Sequence, residues 1–176
     1  LRDFNQRDAA GPAPISIRIG LSTGEVVAGT IGAARRMEYT VIGDTVNLAA
    51  RLESLGKHYG SEILVCETTW QSVREIFEFR EIDTIAVAGK SEPVRMFELL
   101  AVRGDISPEL AARRNCFQAA LQHYRAGAWP EARQGFAECL ARDAADSASE
   151  VMLARLETLE ASPPADWDGV WHFAHK

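Results

Sequence analysis

An α+β fold with a mainly antiparallel sheet, followed by a small helical tail, is what the sequence predicts. Three observations carry that prediction. Apolar residues alternate at Ile15, Ile17, Ile19 and Leu21 and again along residues 77–87, which is the period of a strand. Up to Leu100 such runs are interleaved with short helical ones over hairpin-length connections. Beyond Pro108 the apolar spacing changes to three and four, the period of helices.

Taken in order, residues 1–14 form a polar lead-in containing Gly and Pro, with neither the positive start nor the apolar core of a signal peptide. The first residue is Leu1, and the chain is read as a fragment of a longer protein. Ser22-Thr23-Gly24 offers turn chemistry between the first strand and a second β-rich run over 25–31, so these two are expected to pair as a hairpin. Gly29, Thr30 and residues 32–36 read as a small-residue, basic loop. Tyr39 to Ile42 then leads into Gly43-Asp44, where Asp44 is expected to cap a helix over 45–56, with Gly56 as its stop. Residues 62–66 read as a short buried strand and 68–75 as a short helix. The strand over 77–87 has a break near Asp83, and Gly89-Lys90 turns the chain into a last strand over 94–99.

The helical segment, 108–162, divides into helices over 110–126, 130–142 and 147–159. Tyr124, Gly127, Trp129, Ala132 and Phe136 give it the look of a single tetratricopeptide repeat, and an ordinary helical appendage fits the same pattern. Residues 163–176 form a Trp-containing extension expected to fold back over an apolar patch. Nineteen basic against 25 acidic side chains give the 176 residues a net charge of -6, which argues against nucleic-acid binding. No apolar run is long enough to span a membrane. Cys66, Cys116 and Cys139 are far apart in sequence and suggest neither a disulfide framework nor a metal cluster, consistent with a cytoplasmic setting. His58, His123, His172 and His175 show no ligand spacing.

The helix after Gly43 carries the chemistry. At about 100° per residue, Asn47 and Arg51 lie about 40° apart, while Leu48, Leu52 and Leu55 share a stripe that can pack on a sheet. An amide and a guanidinium presented together suit sugar and phosphate oxygens, because the guanidinium offers an oxyanion a planar fork of donors. Spacing by itself favours a solvated face on which Arg51 pairs with Glu53 or Glu62.

Ile17-Arg18-Ile19-Gly20-Leu21, Thr23-Gly24-Glu25-Val26-Val27-Ala28-Gly29 and above all the run from Tyr39-Thr40-Val41-Ile42-Gly43-Asp44 through Asn47 to Arg51-Leu52-Glu53 resemble the second half of a class III adenylate/guanylate cyclase catalytic domain. The resemblance continues through Phe79-Arg80-Glu81-Ile82-Asp83 and Gly89-Lys90 to Phe97-Glu98-Leu99-Leu100, covering 15–100. It implies the C-terminal half of a ferredoxin-like domain that works as a head-to-tail homodimer with nucleotide between the subunits, in the manner of bacterial multidomain cyclases. By analogy, Thr40 falls where the purine is selected and favours ATP, Asn47 where the ribose is oriented, Arg51 where charge on the reacting phosphate is met, and Lys90 where the terminal phosphates are held.

The implied reaction is ATP to cyclic AMP and pyrophosphate with Mg²⁺ or Mn²⁺. The family's two metal-binding aspartates belong to the first half of its domain, so their ligands are expected in the absent N-terminal half. Asp3 and Asp8, in the lead-in, are assigned no metal role. Ser22 stands where the family usually has histidine, and Ala88 where a lysine often precedes Gly-Lys. Gly29-Thr30-Ile31-Gly32 has the composition of a phosphate-cradling loop but no Walker Lys-Ser/Thr, and is read as a flexible cover over the nucleotide. Arg35 is read as solvated and Arg36 is left open. Any membrane anchor of the parent would lie upstream. The competing reading is a non-catalytic regulatory fragment whose helical tail docks a partner.

Overall fold

The computed structural model describes residues 15–33, 36–86 and 93–172. Its main sheet has five strands: β1 (Ile19–Leu21), β4 (Ile63–Cys66), β6 (Val94–Val102), β5 (Phe77–Ala86) and β7 (Trp171–His172), in that spatial order. A separate antiparallel ribbon joins β2 (Val27–Ala33) to β3 (Arg36–Ile42). The helices are α1 (Asp44–Tyr59), α2 (Glu67–Val73), α3 (Pro108–Arg125), α4 (Trp129–Arg142) and α5 (Ser147–Ala161).

β1 does not pair with the β-rich run that follows it. It lies parallel to β4, with Gly20 opposite Leu64, and α1 is the crossover between them. The hairpin is instead β2 with β3, in which Gly29 faces Thr40 and Gly32 faces Met37. Residues 29–32, expected as a loop, are therefore strand. Gly20 explains the crossover: a Cβ there would stand 2.1 Å from the Ala49 carbonyl oxygen and 2.5 Å from the Glu53 amide nitrogen. The helix sits directly on the strand, at a distance only glycine allows. The sheet is accordingly mixed: β4–β6 and β6–β5 are antiparallel, while β1–β4 and β5–β7 are parallel.

Both ends of α1 differ from expectation. Gly43, at φ 149°, occupies the N-cap, no side chain caps the helix, and Asp44 lies within the first turn, where its carboxylate complements the helix dipole. Gly56 is an interior, buried residue pressed towards the Ser61 carbonyl. The helix runs on to Tyr59 and stops at Gly60, which is left-handed at φ 67°.

One face of the sheet carries Gly20, Leu64, Cys66, Met96 and Ile85, and α1 and the tail helices cover it. Leu52, Tyr59, Leu64, Ile82, Met96, Phe117, Leu121, Tyr124, Phe136 and Leu156 form part of one continuous core through sheet and tail. On the opposite face α2 lays Trp70 flat on Phe97, ring centroids 4.5 Å apart. Beyond α2, that face leaves Ile15, Ile17, Ile19 and Leu21 between 36 and 49% exposed, and the ribbon likewise exposes Val27, Met37 and Tyr39. These are large apolar side chains in one row, the kind of surface that marks a docking face.

The break near Asp83 is a β-bulge. Arg80 faces Glu98 and Asp83 faces Met96, so two residues an odd number of positions apart point to the same side. The bulge thereby turns both charged groups under the tail. Arg80 donates to Glu98 at 2.8 Å and to Asp146, at the start of α5, at 2.7 Å, and its side chain is 3% exposed. Two further tail arginines, Arg114 and Arg125, reach Glu78 and Glu81 on the same strand.

The tail is closed by its own end, as the aromatic extension suggested. Trp167 packs edge-on against Tyr124 and Trp129 and donates from Nε1 to the Tyr124 carbonyl at 3.1 Å, and β7 adds a strand beside β5. Cys116 and Cys139, 23 positions apart, meet between α3 and α4 with sulfurs 2.9 Å apart as free thiols. Among the described residues no helix is long and apolar enough to cross a membrane.

Candidate active site

The strand-to-helix corner at Gly43 builds the site. β3 brings Thr40 to within four residues of α1, on a ribbon position where its side chain is exposed opposite Gly29. The backbone then turns through Gly43, whose carbonyl accepts from the Val46 and Asn47 amides at 3.1 and 3.2 Å. A side-chain tie holds the corner to the chain leaving β1: Thr45 Oγ1 donates to the Glu25 carbonyl at 3.1 Å.

From that corner α1 divides its residues as the spacing predicted. Leu48 and Leu52 are buried and Leu55 packs against the core, while Asn47 and Arg51 are both exposed one turn apart. Neither lies beneath the tail. Glu53, a candidate partner for Arg51, approaches Arg18 across the β1 contact at 3.5 Å. The two donors therefore flank the solvent side of the corner, with Thr40 on the strand entering it. Lys90, with Ala88 beside it, lies outside the described residues, as do Asp3, Asp8 and Arg35. Nor is anything described of the Arg36 side chain, although Arg36 opens β3.

The far end of α1 is tied by groups that the sequence did not single out. Tyr59, 1% exposed, donates its hydroxyl to Asp83 Oδ2 at 2.6 Å, and Arg155 of α5 donates to both of them. Asp83 also accepts from the Thr84 amide at 2.7 Å, and the Arg155 guanidinium lies 4.8 Å from the Trp171 ring centroid. Burial, and after it the Asp83 charge, pushes the Tyr59 phenol well above its ordinary value, so it stays protonated and keeps donating. Beside it, burial and then the Arg155 charge push the His58 imidazole down from 6.5. The only sequence-level sign of this cluster is the count of charges in Phe79-Arg80-Glu81-Ile82-Asp83, which periodicity alone assigns half to solvent.

Among the described residues no cluster of three His, Cys, Asp or Glu side chains could hold a metal ion. The donors present are an amide, a guanidinium and hydroxyls, which suit a nucleotide's sugar and phosphates rather than a cation.

A mixed sheet with a crossover helix that exposes Asn47 and Arg51 defines the class: an α+β domain sharing its core with a helical tail. Comparison with known proteins makes it specific, since residues 2–101 match the family described as the adenylate and guanylate cyclase catalytic domain, and the chain belongs to that family. It is similar to adenylate cyclase 1 of Rhizobium meliloti (strain 1021), 35% identical over 103 residues, which cover 58% of this chain and 16% of that protein. It is similar also to an adenylate cyclase of Anabaena cylindrica, 41% identical over 99 residues, covering 54% and 20%. Among solved structures, the adenylyl cyclase CyaB from P. aeruginosa is 38% identical, covering 58% of this chain and 52% of that one at a TM-score of 0.47. The guanylyl cyclase Cya2 is 31% identical, covering 60% and 53% at 0.49. The chain thus spans a fifth or less of the length of these two curated relatives.

Proposed function

We propose that this chain supplies the adenine-, ribose- and phosphate-contacting half of a class III adenylate cyclase that converts ATP to cyclic AMP and pyrophosphate, and that the complete domain works as a head-to-tail homodimer. The observation that carries the proposal is the joint exposure of Asn47 and Arg51 on a helix whose other stripe is buried, beside Thr40 at the strand-to-helix corner. In this reading the Asn47 amide holds the ribose so that its 3′ oxygen faces the α-phosphorus. The O3′–Pα bond forms, the bond from Pα to the bridging oxygen breaks, pyrophosphate departs, and the hydroxyl proton leaves to solvent. Arg51 donates to the phosphoryl oxygens as their charge grows, and Lys90 holds the terminal phosphates. Mg²⁺ or Mn²⁺ would be held by residues other than those described, so no step is assigned to a metal on this chain.

Thr40 can accept from an exocyclic amine or donate to a ring nitrogen, which supports adenine without excluding guanine. The alternative of a free docking tail is less favoured, because four of the tail's charged residues already engage β5. The test is turnover of ATP and GTP by the intact protein with Mg²⁺ or Mn²⁺. Asn47→Ala and Arg51→Ala are each expected to lower kcat by about a hundredfold, with KM changed far less. Equal losses in binding and turnover would remove the transition-state role. An ATP-to-GTP ratio unchanged by substitution of Thr40 would remove it as the base selector.

A further inference from the structure

α1 packs its leucine stripe on the sheet, and at Gly20 the two backbones approach especially closely. Gly20 meets it at Ala49 and Glu53, a stretch centred on Arg51. Its N-terminal end has no side-chain cap, and Thr45 ties it by a hydrogen bond to the chain after β1. A tilt of α1 pivots about that close approach, and the buried cluster at Tyr59 opposes it together with the packing of Leu48, Leu52 and Leu55. At a rise of about 1.5 Å per residue, Tyr59 lies about 12 Å from the pivot and Asn47 about 6 Å on the other side. A shift of about 2 Å at Tyr59 would therefore move Asn47 by about 1 Å the opposite way, and a misplacement of that size is enough to slow a positioned reaction severely.

We infer that Arg155, in the helical tail, is a positioning residue for the cyclase site, holding α1 in register through Tyr59 and Asp83. Arg155 is 72 positions from Asp83 and 96 from Tyr59 in sequence, yet its side chain is 5% exposed and donates to both, with Trp171 of β7 beneath it. One guanidinium thus joins the Asn47- and Arg51-bearing helix, the bulged strand, the last tail helix and the closing strand β7. Removing the tail's grip would leave Asn47 and Arg51 chemically intact but on a helix held less firmly at its far end. The activity part of this inference rests on the proposed cyclase reaction; the mechanical part does not.

Two variants test it. Arg155→Met breaks the cluster but leaves Asp83 buried without its charge partner, so Tyr59→Phe is the cleaner probe: it cuts only the tie to α1 and keeps both the ring and the Arg155–Asp83 pair. In the 176-residue chain, amide hydrogen exchange over residues 44–52 should quicken by about tenfold in both variants relative to β4 and β6, whereas Arg133→Met, which removes a surface pair with Glu160, should leave α1 unchanged. An equal rise in α1, β4 and β6 would mark a merely stabilising role and overturn the inference, as would no change in α1. In the intact protein, Tyr59→Phe should lower kcat by about tenfold with KM within about twofold, and Asn47→Ala should cost less in that background than in the wild type. Full additivity would overturn the coupling. If the intact wild type turns over neither ATP nor GTP, the proposed function falls, and the exchange result alone decides whether Arg155 holds the helix.

Discussion

Gly20→Ala is the smallest change that tests how α1 is seated. The added methyl carbon would lie 2.1 Å from the Ala49 carbonyl oxygen and 2.5 Å from the Glu53 amide nitrogen, with Leu52 Cβ at 3.0 Å. Two of the three obstacles are backbone of the same helix, so no side-chain rotation relieves them. The helix must retreat by about 1 Å to restore ordinary contact, and close-packed interiors transmit such a shift rather than absorb it. Overpacking of this kind costs about 2–3 kcal/mol, towards the upper part of its usual range because the clash is with backbone. For a chain of this size each kcal/mol moves Tm by about 2–4 °C, so thermal unfolding followed by circular dichroism should show a fall of about 4–12 °C. In the intact protein the same substitution should lower turnover, since it displaces the segment between Asn47 and Arg51. A Tm within about 1 °C of wild type would refute the close seating of α1 on β1 and, with it, the swivel point inferred above.

Other expectations follow from the buried charges and thiols. Arg80→Met leaves Glu98 and Asp146 buried without their cation and should cost about 3–5 kcal/mol in urea unfolding, while Arg133→Met at the surface should cost at most about 1 kcal/mol; similar values for both would refute the buried role. Burial alone would raise the Glu81 carboxyl, but hydrogen bonds from Arg95 and Arg125 outweigh it and hold the group below its ordinary 4.5. A carboxylate depressed on folding stabilises above its unfolded value and loses that contribution as pH falls through the folded one. The urea midpoint should therefore drop as the solution is acidified below about pH 4.5, and Glu81→Gln should flatten that drop. Burial, and then the neighbouring Cys116 thiol, pushes the Cys139 thiol up to about 12, so alkylation of the native chain at pH 8.5 should modify the half-buried Cys116 well before Cys139, as read by mass spectrometry. Equal rates at the two sulfurs would contradict the packing of α3 on α4.

How much of this was legible beforehand depends on the range of the interaction concerned. The three tail helices lie within two or three residues of where the apolar spacing put them, because amphipathic periodicity is a local property that tertiary packing reinforces. The division of α1 into a buried leucine stripe and an exposed Asn47–Arg51 flank was readable for the same reason. The partner of β1 was not, since alternation names a strand but not its neighbour, and the close approach at Gly20 has no signature beyond the glycine itself. The cap at Asp44 was misplaced by one position because Gly43 takes the positive φ at the corner and leaves the carboxylate in the first turn. The charges of β5 were the least legible. Glu78, Arg80, Glu81 and Asp83 read as a half-solvated strand, yet each finds its counter-charge in tail residues 36 to 72 positions away.

The bulge in β5 has a consequence for how the tail and the sheet can change together. Removing Ile82, the extra residue of the bulge, would leave Glu81 opposite Phe97 and Asp83 opposite Met96 in strict alternation, so Asp83 would stay under the tail and the loss would be that of one buried side chain. Were the pairing instead to regularise with every residue kept, Ile82 would take the place opposite Met96 and Asp83 would swing to the other side of the strand, out of reach of Arg155; a slip of register, not the loss of a residue, is what would uncouple tail from sheet.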